Sequence, residues 1–397
     1  MKLGLSPNNV RIENLKLIMS LVRERDYTYK EIAQRLGLSV PAINKIVAEL
    51  VEKNLVSFCQ PITKNTAGRR PNRIEIRSDT GFVILILLSN DEGNQNFNII
   101  ACDLKRNILS KHSITPTIRD TSKLTKDITN TIRKILKEET LLNKQLYNIC
   151  IAAPGIIDEK NGLLIATSLE IDDKSYDIRN QLQNEFSVPV YIKGLLSCQL
   201  LSELKYGALK NGSRLALFLH ISDGCGMSFA INNDVFSGAH GFAGEIGFVM
   251  SNLVAGYHMS LIDSSKCSIE QEISLVKLKY DTAKKIGLSA NEINFDNIAK
   301  EYLKKNPPFV DTVNEHAKRV GSVIKNLIIL LDPDNIIIGG KILKLGESYL
   351  EILRNCIYEE YYKRVNIIIP NMDNGLFNGL FETAIKEAID KIILSEN

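Results

Sequence analysis

Two clusters of residues near the start of the chain have the chemistry to grip a polyanion. In a helical pattern beginning at Ser39, Ala42, Asn44, Lys45 and Ala48 fall opposite the apolar Ile43, Ile46, Val47 and Leu50. A helix with a small and polar outer face can lie in a DNA groove and present its first residues, from Ser39 and Ala42 onward, to base edges. Asn44 and Lys45 are the expected base contacts. The second cluster, Lys64, Arg69 and Arg70 in TKNTAGRRP with Arg73 just beyond it, supplies cations for phosphates or an adjacent minor groove.

Positioning these side chains needs three helices and a hairpin, and the sequence spells them out. Asn14–Arg25 repeats apolar residues at Leu15, Ile18, Leu21 and Val22, the one-face spacing of an amphipathic helix. Thr28 and Glu31 form a capping-box pair that predicts a second helix over Tyr29–Leu36. Gly37 then offers the positive φ of a tight turn. Ser39 can cap the third helix, with Pro41 tolerated in its first turn. Leu55–Phe58 and Arg73–Arg77 alternate like two short strands around the basic loop Thr63–Pro71. Together these predict a winged helix-turn-helix over residues 1–80. A generic three-helix domain with a basic hairpin is the plainer alternative.

The charge distribution points the same way. Residues 1–80 hold 14 Lys and Arg against 8 Asp and Glu, whereas the remaining 317 hold 35 against 38. A basic front on a near-neutral body suggests a polyanion-binding module joined to something else. At 397 residues the chain is long enough for two or three domains, and 44% hydrophobic residues exclude a disordered or collagen-like polymer. No segment approaches about 18 consecutive apolar residues, so neither secretion nor membrane insertion is expected. Seven cysteines, with no CxxC pair, do not make a disulfide framework. The expectation is a reduced, cytoplasmic protein without a cofactor.

From Gly81 the pattern becomes α/β. Phe82–Leu88, Asn98–Leu104 and Ile108–Ile114 read as successive strands, Ser122–Glu139 as a helix and Tyr147–Ala153 as a further strand. After a helix at Tyr176–Phe186 come strand Val190–Lys193, helix Leu195–Tyr206, and strands Leu215–Ser222 and Gly226–Ile231. The C-terminal third reads as mostly helical, interrupted by Asn335–Gly340 and Asn366–Pro370. Two α/β halves, each opening on adjacent strands, imply a duplicated architecture with a cleft between them.

Four stretches carry a resemblance. APGIID at 153–158 resembles the PGxxD turn of the ROK family (repressors, open reading frames and kinases), and SGAHGFAGEIG at 237–247 its GAxGxAGEIG signature. SDGCGMS at 222–228 is similar to its glycine-rich phosphate loop, and LDPDNIIIGGK at 331–341 to its adenosine-side segment. The helix-turn-helix and GRRP wing resemble the front of NagC/XylR-type regulators. The resemblance implies a winged helix on residues 1–80 and, on 81–397, a two-lobed actin-like (ribonuclease H-like) sensor and dimerisation domain.

The same resemblance shows what has been lost. A sugar kinase of this family needs a carboxylate base, the Asp of an Asn-Asp pair after a strand, to take the proton of the attacking hydroxyl. Counted back from Glu203, that pair falls on Gly194-Leu195, and no Asp occurs between Asp177 and Asp223. The first phosphate loop aligns with Asp91–Gln95, with Gln for Thr, and in the second Ser222 and Ser228 replace glycines that would let backbone N–H groups approach a phosphate. All four zinc ligands of the family are replaced: Phe248 stands for the His, and Leu261, Asp263 and Ser268 for the cysteines. No metal site is expected, an improvised one from His258, Asp263 and Cys267 being the alternative; packing of Phe248, Leu261 and Ile262 would have to do zinc's work.

Of the family's sugar-contacting residues, Glu245 and Glu270 remain. The resemblance makes them, with Gly155, Gly238 and His240, the candidate ligand-binding set. Alternatively, Glu245 caps a helix or pairs with a lysine, and Glu270 merely opens one. The function expected is a DNA-binding transcriptional regulator, a repressor of carbohydrate-use genes, that senses a saccharide in a non-catalytic kinase-like body. Its partners would be a double-stranded operator and a second copy or copies of itself, as homodimer or homotetramer. The rivals are a sugar kinase with an appended DNA-binding domain and a ligand-blind architectural DNA binder.

Overall fold

A computed structural model describes residues 6–59, 73–91, 94–115, 120–167, 169, 171–173, 175–251, 268–357 and 364–395. The head opens with α1 (Pro7–Glu24), which starts earlier than its apolar spacing predicts. Ser6 Oγ accepts from Asn9 N at 3.3 Å, and Pro7 occupies the first turn, where its missing N–H costs nothing. β1 (Tyr27–Thr28) leads into α2 (Tyr29–Leu36). The capping box is present: Thr28 N donates to Glu31 Oε2 at 2.7 Å and Glu31 N to Thr28 Oγ1 at 3.3 Å. Gly37 takes φ 65° and ends α2. α3 (Val40–Glu52) buries Ile43, Val47 and Leu50. β2 (Val56–Phe58) and β3 (Arg73–Ile76) pair antiparallel, and β1 joins the other edge of β3. Two residues of strand are too few for a periodicity to register, so β1 was invisible in the sequence.

The body begins at Gly81. Its first sheet is built from β4 (Gly81–Asp91), β5 (Asn94–Asp103) and β6 (Ile108–Ile114), then, after α4 (Thr121–Ile135), from β7 (Gln145–Ala153). β8 (Ile156–Asp158) and β9 (Leu163–Ala166) form a small hairpin where the sequence predicts a simple turn. α5 (Ile178–Phe186), β10 (Val190–Gly194) and α6 (Leu195–Lys205) follow. The strand order is β10-β7-β4-β5-β6, an antiparallel meander extended by two parallel strands.

The second half repeats the plan. β11 (Leu215–Ile221), β12 (Cys225–Ile231) and β13 (Asp234–Phe236) are its meander. Next come α7 (Ile269–Ile273), α8 (Leu275–Ile286), α9 (Phe295–Leu303) and α10 (Pro307–Leu331). β14 (Asn335–Gly339), α11 (Glu347–Ile357), β15 (Asn366–Ile368) and α12 (Gly375–Leu394) complete the fold. The order β13-β12-β11-β14-β15 matches that of the first sheet, and β14 and β15 are again parallel to β11.

Alternation along the strands divides the core. Phe82, Ile84, Ile86 and Leu88 of β4 pack with Leu124, Ile128 and Ile132 of α4; Val83 and Leu85 face the other way, towards Phe381, Ile385 and Ile389 of α12. α6 and α12 pack on each other between the two sheets. Their approach is close enough that a Cβ on Gly379 would lie 1.7 Å from the Cys198 carbonyl oxygen, so only glycine fits. The α12 cluster continues without a break into Leu15 and Ile18 of α1 and Ile43 and Val47 of α3. Head and body therefore share one apolar core. Among the described residues no helix is long and apolar enough to cross a membrane.

Candidate functional site

The recognition surface of the head is set by α3. Ser39 Oγ accepts from Ala42 N at 3.3 Å, which fixes the first turn, while Asn44, Lys45 and Ala48 are exposed and Ala42 is half-buried. Arg73 is exposed at the start of β3. Lys64, Arg69 and Arg70 lie outside the described residues. Sequence reasoning had passed over Val40, which is 41% exposed in the leading turn of α3.

Between the two sheets lies a cavity of about 880 Å³. The β10–α6 junction supplies Gly194 and Leu195 to its wall, and the β7–β8 turn supplies Gly155, which has φ 102°. Gly194 holds the N-cap position of α6 with no side-chain capping bond, and Leu195 follows it as the first residue of the helix. From the other half come Ser222, Glu245, Phe248, Glu270 and Lys341.

The two expected carboxylates do meet in this cavity. Glu270, in the first turn of α7, accepts from Cys225 N at 3.0 Å. Glu245 precedes the short 3-10 turn Ile246–Phe248 but makes no capping bond to it. Burial, and then the charge of Glu270, push the Glu245 carboxyl up to about 7. A carboxyl so placed sits near half-protonation at neutral pH and can either donate to or accept from a hydroxyl. Phe248 lies on the wall at the position where zinc-binding relatives are expected to carry a histidine. His258, Leu261, Ile262, Asp263 and Cys267 fall outside the described residues.

Gly238 and His240 are not brought to that wall. Gly238 turns the chain at φ 76°, His240 is exposed, and the loop returns to the cavity only at Gly241, Ala243 and Glu245.

Several wall residues escaped the sequence. Lys193 Nζ pairs with Glu159 Oε2 at 2.5 Å, and Ser237 Oγ donates to Glu159 Oε1 at 3.0 Å. At the opposite end His220 Nε2 meets Ser222 Oγ at 3.0 Å, Lys341 N donates to the same oxygen at 3.0 Å, and Lys341 Nζ pairs with Asp223 at 3.3 Å. Burial, with the nearby Lys341 charge, holds the His220 imidazole below its ordinary pKa. These contacts join residues from distant strands. A single sequence offers no spacing that could announce them.

Glu159, Ser197 and Ser237 also line a second cavity, of about 550 Å³, between α1 and the body, where Lys193 joins them. On its far wall Arg23 of α1 pairs with the buried Glu382 of α12 at 2.5 Å, and Tyr206, at the end of α6, donates to the same carboxylate. Burial and Glu382 together raise the Tyr206 phenol well above its ordinary range, so it stays a donor. Lys16 and Asp390 form a second pair between α1 and α12 at 3.2 Å.

The molecule is thus a winged-helix head fused to a duplicated, actin-like body of the sugar-kinase type. Residues 88–370 match the ROK family and residues 14–57 match winged helix-turn-helix DNA-binding domains; the chain belongs to the ROK family. The xylose repressor of Caldicellulosiruptor bescii is 24% identical over 365 residues, covering 89% of this chain and 88% of that protein. A crystal structure of a ROK family transcriptional regulator, a homologue of the E. coli Mlc protein, superposes with a TM-score of 0.80 at 16% identity over 97% of this chain and 100% of that one. The ROK hexokinase of Thermus thermophilus matches 77% of this chain and 97% of its own, with a TM-score of 0.62 and 19% identity. The regulator fold extends over the head; the kinase fold accounts for a smaller share of the chain.

Proposed function

We propose that this chain is a sugar-responsive transcriptional repressor whose kinase-like cleft binds a saccharide without phosphorylating it. One observation carries the non-catalytic half of this reading: Leu195, an aliphatic side chain, stands on the cavity wall at the β10–α6 junction, where a proton acceptor would be needed. Glu159 does reach the cavity, but its carboxylate is held by Lys193 and Ser237. Glu245 and Glu270 would accept hydrogen bonds from ligand hydroxyls, beside the backbone at Gly155. Relatives named as repressors across nearly the whole length support the DNA-binding half.

In this reading two copies place two α3 helices on a pseudo-palindromic operator, about one helical turn or a multiple apart. Ligand binding alters DNA affinity because the lobes hold the ligand better in one arrangement than in another. The wall that the two cavities share, with Glu159, Ser197 and Ser237, and the Arg23–Glu382–Tyr206 contacts are the polar links by which the cleft reaches α1.

The test begins with genome-wide mapping of bound DNA, followed by titration of the recovered sites against a panel of monosaccharides and sugar phosphates. One saccharide should release the DNA, with no ATP consumed in a coupled assay. Sustained ATP turnover with any hexose or amino sugar would overturn the non-catalytic reading. Binding indifferent to every saccharide would leave an architectural DNA binder instead.

A further inference from the structure

The leading turn of α3 carries an unusual set of side chains for a helix that reads DNA. Val40 and Pro41 are both exposed, and Val40 keeps 41% of its surface open to solvent although it is β-branched and apolar. Ser39, just before them, holds the helix cap through Ala42 N. The next exposed hydrogen-bonding side chain is Asn44, one turn further along and on the same face as Val40. Between Ser39 and Asn44 the exposed side chains of the leading turn are therefore hydrocarbon.

The floor of the major groove displays one methyl group, the 5-methyl of thymine, set among hydrogen-bond donors and acceptors. An exposed valine facing donors and acceptors would desolvate them without replacing their hydrogen bonds, which is costly. Facing a methyl, it buries apolar surface on both sides. We propose that Val40 reads the methyl group of a thymine in each operator half-site, one step from the base pair met by Asn44. This assignment rests on the reading of the head as a DNA-binding module, to which residues 14–57 match. It deepens that reading by giving the operator a chemical requirement.

The experiment uses the full chain. Duplexes recovered by repeated selection from a randomised library are remade with deoxyuridine replacing each thymine in turn, which deletes one methyl and changes no hydrogen bond. At one thymine per half-site the substitution should weaken binding about fourfold, the worth of one buried methyl-sized group. Val40→Ala should bind the thymine and deoxyuridine duplexes alike, with an affinity near that of the unaltered chain for the deoxyuridine duplex. Asn44→Ala should bind more weakly yet keep the methyl effect.

If no thymine methyl matters, or if Val40→Ala retains the methyl dependence, the assignment is overturned while DNA binding stands. A chain that selects no duplex at all overturns the DNA-binding reading and this assignment with it.

Discussion

The head and the cleft were assembled under different constraints. In the head, each element that aims α3 is set by residues a few positions apart: Ser39 on Ala42, Thr28 on Glu31, and Gly37 in its left-handed turn. In the cleft, most wall contacts join distant parts of the chain: Glu270 to Cys225, Lys193 to Glu159, Lys341 to Ser222 and Asp223. A module built on local contacts can persist with its chemistry intact while the body behind it drifts. A site built on long-range contacts can keep its shape and still exchange the group that does the work, as we propose for Leu195 at the β10–α6 junction. Two units of such different construction become one device only where they touch, and they touch mainly through α12.

Breaking that contact should have the largest effect. Glu382→Ala leaves Arg23 and Tyr206 without their common carboxylate, and removing one partner of a mostly buried pair costs about 3 kcal/mol. Denaturant titration would reveal it. A loss well under 1 kcal/mol would mean that the Glu382 contacts do little to hold the head on the body.

Changes confined to the head should alter DNA binding and leave the body untouched. With Arg69 and Arg70 both replaced by Ala, the log–log dependence of affinity on salt should flatten by about 2 for each head engaged. An unchanged slope would remove the wing from the interface. Ser39→Ala should cost about 1 kcal/mol of stability by deleting the α3 cap; if stability is unchanged, Ser39 does not anchor the turn.

The effect in the cleft shows only as a dependence on pH. The Glu245 carboxyl titrates near 7 in the folded chain and at the ordinary carboxylate value, about 4.3, when unfolded. Because the folded value is the higher, its contribution to stability is complete below the unfolded value and is lost as pH rises to about 7. Glu245→Gln should remove that part of the pH dependence. An identical stability profile for the variant between about pH 4.5 and 7 would contradict the buried, like-charged placement.

What could be read in advance follows the same division. The α2 cap, the α3 faces and β6 (Ile108–Ile114) stand where their residues predict, since caps and periodicity are properties of neighbouring residues. The start of α1 was misplaced because Ser6 and Pro7 extend it beyond its apolar stripe. β1 and the β8–β9 hairpin were missed because strands so short carry no period. In the cleft, resemblance located Glu245, Glu270 and Gly155 on the wall, but it also nominated Gly238 and His240, which the turn at Gly238 carries away. Glu159 and Lys193 could not have been found, because nothing but the folded chain brings residues 159, 193 and 237 together.

The central claim is that the cleft governs the head without chemistry. It is tested most directly by measuring operator affinity and ADP formation in one reaction containing the full chain, ATP and a saccharide that the chain binds. The account predicts a change in operator affinity of at least about fivefold, the lower end of ordinary allosteric coupling, with no ADP accumulating. Steady ADP formation would contradict it, and so would an operator affinity that ignores a saturating ligand.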